Sequence, residues 1–195
     1  MGMKTKLIKA GILIGIGVVL SNKMDEAKES GEKNVVSYLI KSEATSHSYD
    51  KHKVIHVADG DTFTIMYKGK KKSVRLIGID TPESVHRNAK RNTKWGKIAS
   101  DYTKNKLSGE TVYLRYDVQK KDQYGRLLAY VYTLQNGKYV QYNKTLVKKG
   151  YARAACYEPN HKYKQIYDKW EKDAKKKKKG FWKDGFKRAF PTLSK

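Results

Sequence analysis

A single cysteine, Cys156, stands among the 195 residues, so no disulfide closes within the chain and no metal site of paired thiolates is available. Acidic residues are also scarce: 19 Asp and Glu face 43 Lys and Arg, a formal charge of +24 at pH 7. That imbalance excludes an acidic tail and a neutral scaffold for apolar ligands. It points to a polyanionic partner, either nucleic acid or an anionic membrane. No apolar run near the N-terminus reaches the ~20 residues of a bilayer span; the run at 10–20 has eleven. With paired thiols excluded, a bound metal must take oxygen or imidazole ligands, and oxygen ligands favour Ca²⁺, Mg²⁺ or Mn²⁺.

What is present suffices for a core, since 38% of residues are apolar and 11% aromatic, which argues against disorder throughout. The length allows one domain with extensions. Lys4, Lys6 and Lys9 precede the apolar run, so residues 1–21 read as a signal peptide. An uncleaved membrane anchor is the alternative, because Val19-Leu20-Ser21 is a poor cleavage site. Residues 22–50, with six acidic residues against four Lys, read as a polar linker. Residues 51–195 then hold 36 basic and 13 acidic residues, or +23. The field belongs to the folded domain rather than to a tail; the domain is expected at 51–185, with a C-terminal tail at 186–195.

Short strands dominate the first half of that domain. Val54, Ile55 and Val57 lead to a turn at Asp59-Gly60, 62–67 is β-rich, Lys68 to Lys71 signals a hairpin, and 73–79 forms its return. A polar loop follows at 84–94. Helical spacing covers 95–107, ending at Ser108-Gly109. Strands are expected at 111–117 and 127–134, helices at 140–149 and from beyond Pro159-Asn160 to the lysines at 175–179. Five strands with three helices predict an α+β fold, a small five-stranded β-barrel of the OB type.

Two segments flanking the hairpin carry chemistry: Asp59-Gly60-Asp61-Thr62, and the stretch from Arg75 to Glu83. If the loop is centred near 70 and 71, paired residue numbers sum to about 141 and Asp61 lies opposite Asp80. Two such carboxylates, with Glu83 just beyond, repel unless a cation sits between them, and Ca²⁺ or Mg²⁺ suits oxygen ligands. Turn chemistry alone also explains each of these dipeptides. Arg75 lies five residues before Asp80, on the opposite face by strict alternation, unless a bulge at Gly78 realigns them. Arg126, after Asp122-Gln123-Tyr124-Gly125, starts the next strand. Two guanidinium groups opposite a cation suit a phosphodiester, because their forks bind phosphate oxygens and offset transition-state charge.

These segments, with 122–130 and Ala155-Cys156-Tyr157-Glu158-Pro159-Asn160, closely resemble the thermonuclease (staphylococcal nuclease) family over residues 52–183. The resemblance implies an OB-fold barrel with three helices and a Ca²⁺-dependent endonuclease on DNA and RNA that leaves 3′-phosphates. It implies Asp61, Asp80 and the Thr81 carbonyl as calcium ligands, Glu83 as general base, and Arg75 and Arg126 as phosphate contacts. Tyr124 and Tyr157 are implied to contact substrate. Two positions depart from the pattern: Gln123 stands where the family commonly has Lys, and Cys156 occupies or adjoins the place of a second tyrosine. These bear on substrate grip rather than on cleavage.

Alanine at Arg75, Glu83 or Arg126 is then expected to cut turnover while leaving the fold intact. A non-catalytic OB module that only binds nucleic acid is the alternative, for which a basic surface suffices. The chain is expected to be monomeric. It is expected to be secreted, or held on the extracellular membrane face by residues 7–20 if the leader is retained.

Overall fold

The computed structural model describes residues 49–85, 88 and 91–193. The signal or anchor and nearly all of the linker therefore lie outside the described residues. Among the described residues no helix is long and apolar enough to cross a membrane.

Strands β1 (Asp50–Val57), β2 (Thr62–Tyr67) and β3 (Lys70–Leu76) form an antiparallel meander. The two-residue turn at Lys68-Gly69 has positive φ at both positions, 49° and 74°, which matches the twist of the strands it joins. β5 (Thr111–Arg115) pairs antiparallel with β1 and with β6 (Leu127–Gln135), and β6 pairs parallel with β3. That last pairing closes a five-stranded mixed barrel in an α+β fold.

Alternation explains the interior. Phe63, Ile65, Val74, Leu76, Val112 and Leu114 are all buried, and burying each such side chain contributes about 1.5–3 kcal/mol. β6 is buried on both faces. Ala129 and Val131 lie on one face, while Tyr130 on the other meets the Tyr163 ring edge-on at 4.6 Å.

Helix α1 (Lys94–Leu107) is capped by Thr93, whose hydroxyl accepts from the Gly96 N–H, and it buries Gly96, Ala99, Thr103 and Leu107 along one stripe. α2 (Tyr142–Lys149) stops at left-handed Gly150. There a Cβ would stand 2.1 Å from the Lys179 carbonyl, so only glycine fits. α3 (Lys164–Lys176) buries Tyr167, Trp170 and Ala174.

Two expectations change. The helix read at 140–149 begins only at Tyr142, because β7 (Lys138–Gln141) pairs with the end of β6, setting Val140 against Thr133 and Gln141 against Tyr132. Beyond a 3₁₀ turn (Gly180–Lys183), residues 186–189 form a short helix, α4 (Phe186–Ala189). Ala189 and Phe190 are buried with Phe181 against Trp95, Trp182 and Phe186, so the first residues of the expected tail pack onto the domain.

Candidate active site

The hairpin does not set Asp61 opposite Asp80. Its pairs, such as Thr62 with Arg75 and Phe63 with Val74, sum to 137, because the turn is centred on Lys68-Gly69 rather than near 70 and 71. Asp61 instead lies beside Leu76, whose N–H donates to its backbone carbonyl at 2.9 Å. Gly78 is not a bulge but a left-handed turn residue (φ 77°) that ends β3, and a Cβ there would come within 2.5 Å of the Tyr167 ring. The chain is thereby redirected into β4 (Ile79–Asp80), which pairs with β8 (Arg153–Ala154). The two aspartates still meet, through tertiary structure.

Arg75 joins them. Its Nη1 donates to Asp61 Oδ1 at 2.5 Å and its Nη2 to Asp80 Oδ1 at 2.8 Å. Asp61 is 1% exposed. Its Oδ2 accepts from the Thr81 N–H at 2.9 Å and the Thr81 hydroxyl at 3.0 Å. Burial pushes the Asp61 carboxyl up to about 6, with Arg75 opposing and Asp59 adding to the rise. Burial would lower Arg75, but the charges of Asp61, Asp80 and Asp59 outweigh it and hold the guanidinium above its usual value.

Arg75 also lines an open cleft of ≈ 830 Å³, together with Glu83, Tyr124, Arg126 and Tyr157. Five of the eight candidate residues thus share one cavity, while Asp61, Asp80 and Thr81 are linked to it through Arg75. Glu83 is exposed, and its carboxylate is paired with none of the described residues. Its backbone is fixed: the Glu83 carbonyl accepts from the Thr93 N–H at 2.9 Å at the start of α1. At Gly96 a Cβ would stand 1.9 Å from that carbonyl oxygen. Tyr124 and Tyr157 are 75% and 67% exposed, so their rings are available to a ligand.

Three contributors escaped the sequence reading. Asp122 accepts from Arg126 Nε at 2.6 Å and from the Arg126 and Tyr124 N–H groups, both at 3.0 Å. Burial raises its carboxyl, but those hydrogen bonds outweigh the rise and hold it below the ordinary value. Asn160, 5% exposed, exchanges two 2.8 Å hydrogen bonds with the Gln119 backbone and so joins two walls of the cleft. Arg153 donates to Asp80 Oδ2 at 3.0 Å. Asp122 and Asn160 sit inside motifs that were already legible; Arg153 carries no local signal. Of the two departures, Gln123 lines the cleft. Cys156 contacts the Gly78 carbonyl instead, and burial pushes its thiol up to about 11.

Among the described residues no group of three or more His, Cys, Asp and Glu side chains is arranged to hold a metal. The donor chemistry nevertheless fits a hard cation. Two carboxylates converge on one guanidinium, with Asp59 adding charge to Asp61. Oxygen ligands completed by water suit Ca²⁺.

Residues 73–184 match the family model described as staphylococcal nuclease homologue. Over 178 residues the chain is 40% identical to the thermonuclease of Staphylococcus hyicus, covering 91% of this chain and 98% of that protein. It is 41% identical over 142 residues to the thermonuclease of Staphylococcus intermedius, covering 73% and 82%. Endonuclease YncB of Bacillus subtilis is 36% identical over 174 residues, covering 85% and 80%. A closed barrel, a cleft holding two arginines and a glutamate, and these matches lead to one conclusion: the chain belongs to the staphylococcal nuclease family.

Proposed function

We propose that this protein is a Ca²⁺-dependent endonuclease that hydrolyses DNA and RNA to 3′-phosphate products. The observation that carries this reading is the convergence of Arg75, Glu83 and Arg126, from three separate segments, on one cleft, with the Asp61 and Asp80 carboxylates bonded to Arg75.

Water attacks phosphorus poorly, so a carboxylate that takes its proton contributes about 10²- to 10⁴-fold. Glu83, exposed to the cleft and unpaired among the described residues, has that role. The water oxygen bonds to phosphorus as the bond to O5′ breaks; O5′ leaves with the electron pair and takes up a proton. Arg126 is held by Asp122 with its fork directed by the Nε contact, and it donates to phosphate oxygens as negative charge builds on them. Arg75 exchanges a carboxylate contact for a phosphate oxygen when substrate arrives. When bound, Ca²⁺ supplies positive charge to the phosphate, with Asp61, Asp80 and the Thr81 carbonyl as its protein ligands. Tyr124 and Tyr157 present rings or hydroxyls to the nucleotide, and the basic exterior gathers the polyanion with an affinity that falls as salt rises.

The enzyme acts as a monomer and outside the cell, after removal of residues 1–21 or tethered through 7–20. Digestion of plasmid DNA and of RNA in Ca²⁺ and in EDTA tests the activity. Cutting in Ca²⁺ that stops in EDTA is expected. Binding without Ca²⁺-dependent cutting would overturn the proposal in favour of a binding module. Mass determination of the native N-terminus tests export.

A further inference from the structure

The Arg153 guanidinium has no part in the reaction just described, yet it meets three separate regions. Its Nε donates to Asp80 Oδ2 at 3.0 Å, its Nη2 lies 3.4 Å from the Tyr157 hydroxyl, and its Cζ lies 5.5 Å from the centre of the Phe190 ring. The backbone fixes this arrangement, because β8 pairs with β4 in a register that sets Asp80 against Arg153 and Ile79 against Ala154. The side chain is about four-fifths covered, at 21% exposure.

Asp80 therefore divides its oxygens between two arginines, Oδ1 to Arg75 and Oδ2 to Arg153. The two arginines differ in what else they face. Arg75 also lines the cleft, where a phosphate can reach it, whereas Arg153 meets Asp80, the Tyr157 hydroxyl and the Phe190 ring. A carboxylate gripped at one oxygen by such a donor cannot rotate freely, so its other oxygen stays aimed toward Arg75. Ligand orientation of this kind is a usual task of groups just outside a metal's own ligands.

We propose that Arg153 is a positioning residue that holds Asp80 in the orientation needed for the cation and, through Tyr157, ties that carboxylate to the nucleotide contact. Phe190, in the segment the sequence assigned to a tail, is the platform for its planar group. The geometry calls for arginine, because a lysine ammonium is a point donor without the fork or the flat face. The inference rests on the calcium-nuclease reading.

The test uses the full chain with R153Q and R153K. Cation affinity is read without turnover, by tyrosine-sensitised Tb³⁺ luminescence with Ca²⁺ competition, alongside KM, kcat and a thermal melt in EDTA. R153Q is expected to weaken cation binding roughly tenfold and to raise KM, with kcat at saturating Ca²⁺ and substrate changed far less; R153K falls between R153Q and wild type. Unchanged cation affinity and KM in R153Q, or a loss confined to the melt, would overturn the role. Full recovery in R153K would also overturn it, since charge alone would then suffice. If R153Q does not fold, R153K decides, and wild-type cation affinity in R153K overturns the role. Wild-type protein that binds no Tb³⁺ and cuts equally in EDTA sinks the calcium reading itself, a result distinct from failure at Arg153.

Discussion

Arg75 lies 2.5 Å from the Asp61 carboxylate, which is 1% exposed, and this pair determines what a mutation at either position does. A phosphate contact removed from an exposed cleft leaves the fold intact, which is the sequence expectation for Arg75→Ala. The structure changes that expectation, because the same substitution strips the counter-charge from a buried carboxylate. We predict that R75A loses turnover by orders of magnitude and is also destabilised, by up to about 3 kcal/mol. Thermal melts in EDTA and in Ca²⁺ check this: Ca²⁺ should raise the variant's melting temperature more than that of wild type. An unchanged melt in EDTA would show that Asp61 does not depend on Arg75.

Burial raises the Asp61 carboxyl from the ordinary 3.8 to about 6. The folded protein then holds the proton more tightly than the unfolded chain, so this group's stabilisation is complete below about pH 4 and is lost as pH rises to about 6. D61N cannot titrate. In EDTA its melting temperature relative to wild type should climb between pH 4 and 6 and then level off. A flat difference across that range would rule out the raised value.

Glu83 is exposed, so E83Q should change stability by less than about 0.5 kcal/mol. Its turnover should fall about 10²- to 10⁴-fold, while Tb³⁺ binding persists. Retained turnover would remove Glu83 from proton transfer.

Asp122 accepts three hydrogen bonds that place Arg126 and Tyr124. R126A should lose about 10²- to 10³-fold in turnover with the fold intact. D122N should lose up to about 10²-fold through misplacement of the same guanidinium. Near-wild-type DNA hydrolysis by R126A would end its assignment to the phosphate.

At Gly96 an added Cβ meets the Glu83 carbonyl at 1.9 Å and the Pro82 carbonyl at 2.8 Å. These are backbone atoms of the loop that carries Glu83, the proposed general base. G96A should therefore reduce turnover and cost about 1–3 kcal/mol. Unaltered kinetics would show that the loop shifts without moving Glu83.

Much of the barrel was legible. Alternation located β2 and the inner part of β3, helical spacing located α1 to within a residue, and Lys68-Gly69 fell within the expected hairpin signal. The register was not legible, because it depends on which two residues take the turn, and a shift of that centre moved Asp61 from Asp80 to Leu76. The start of α2 was misread because Val140 and Gln141 are claimed by pairing with β6, a non-local interaction that overrides local spacing. The burial of Phe190 with Phe181 is likewise a contact between segments, with no trace in either one alone.

The chemical inventory follows from residue order alone: a basic chain without paired thiols, carrying Asp61, Asp80, Glu83, Arg75 and Arg126 in segments of strand and turn. Those side chains suit an oxygen-held cation and a phosphate, the chemistry proposed above. Which of them come together is a property of the folded chain. Arg75 reaches both aspartates, Arg153 arrives beside Asp80 from 73 residues away, and Asn160 joins two walls of the cleft. The difference is one of range. Side-chain type and alternation are local properties, whereas the approach of two carboxylates to one guanidinium depends on strand register, on the turn at Gly78, and on the pairing of β4 with β8. The first two turn on the backbone conformation of single turn residues, and the last on a contact between segments far apart in the chain.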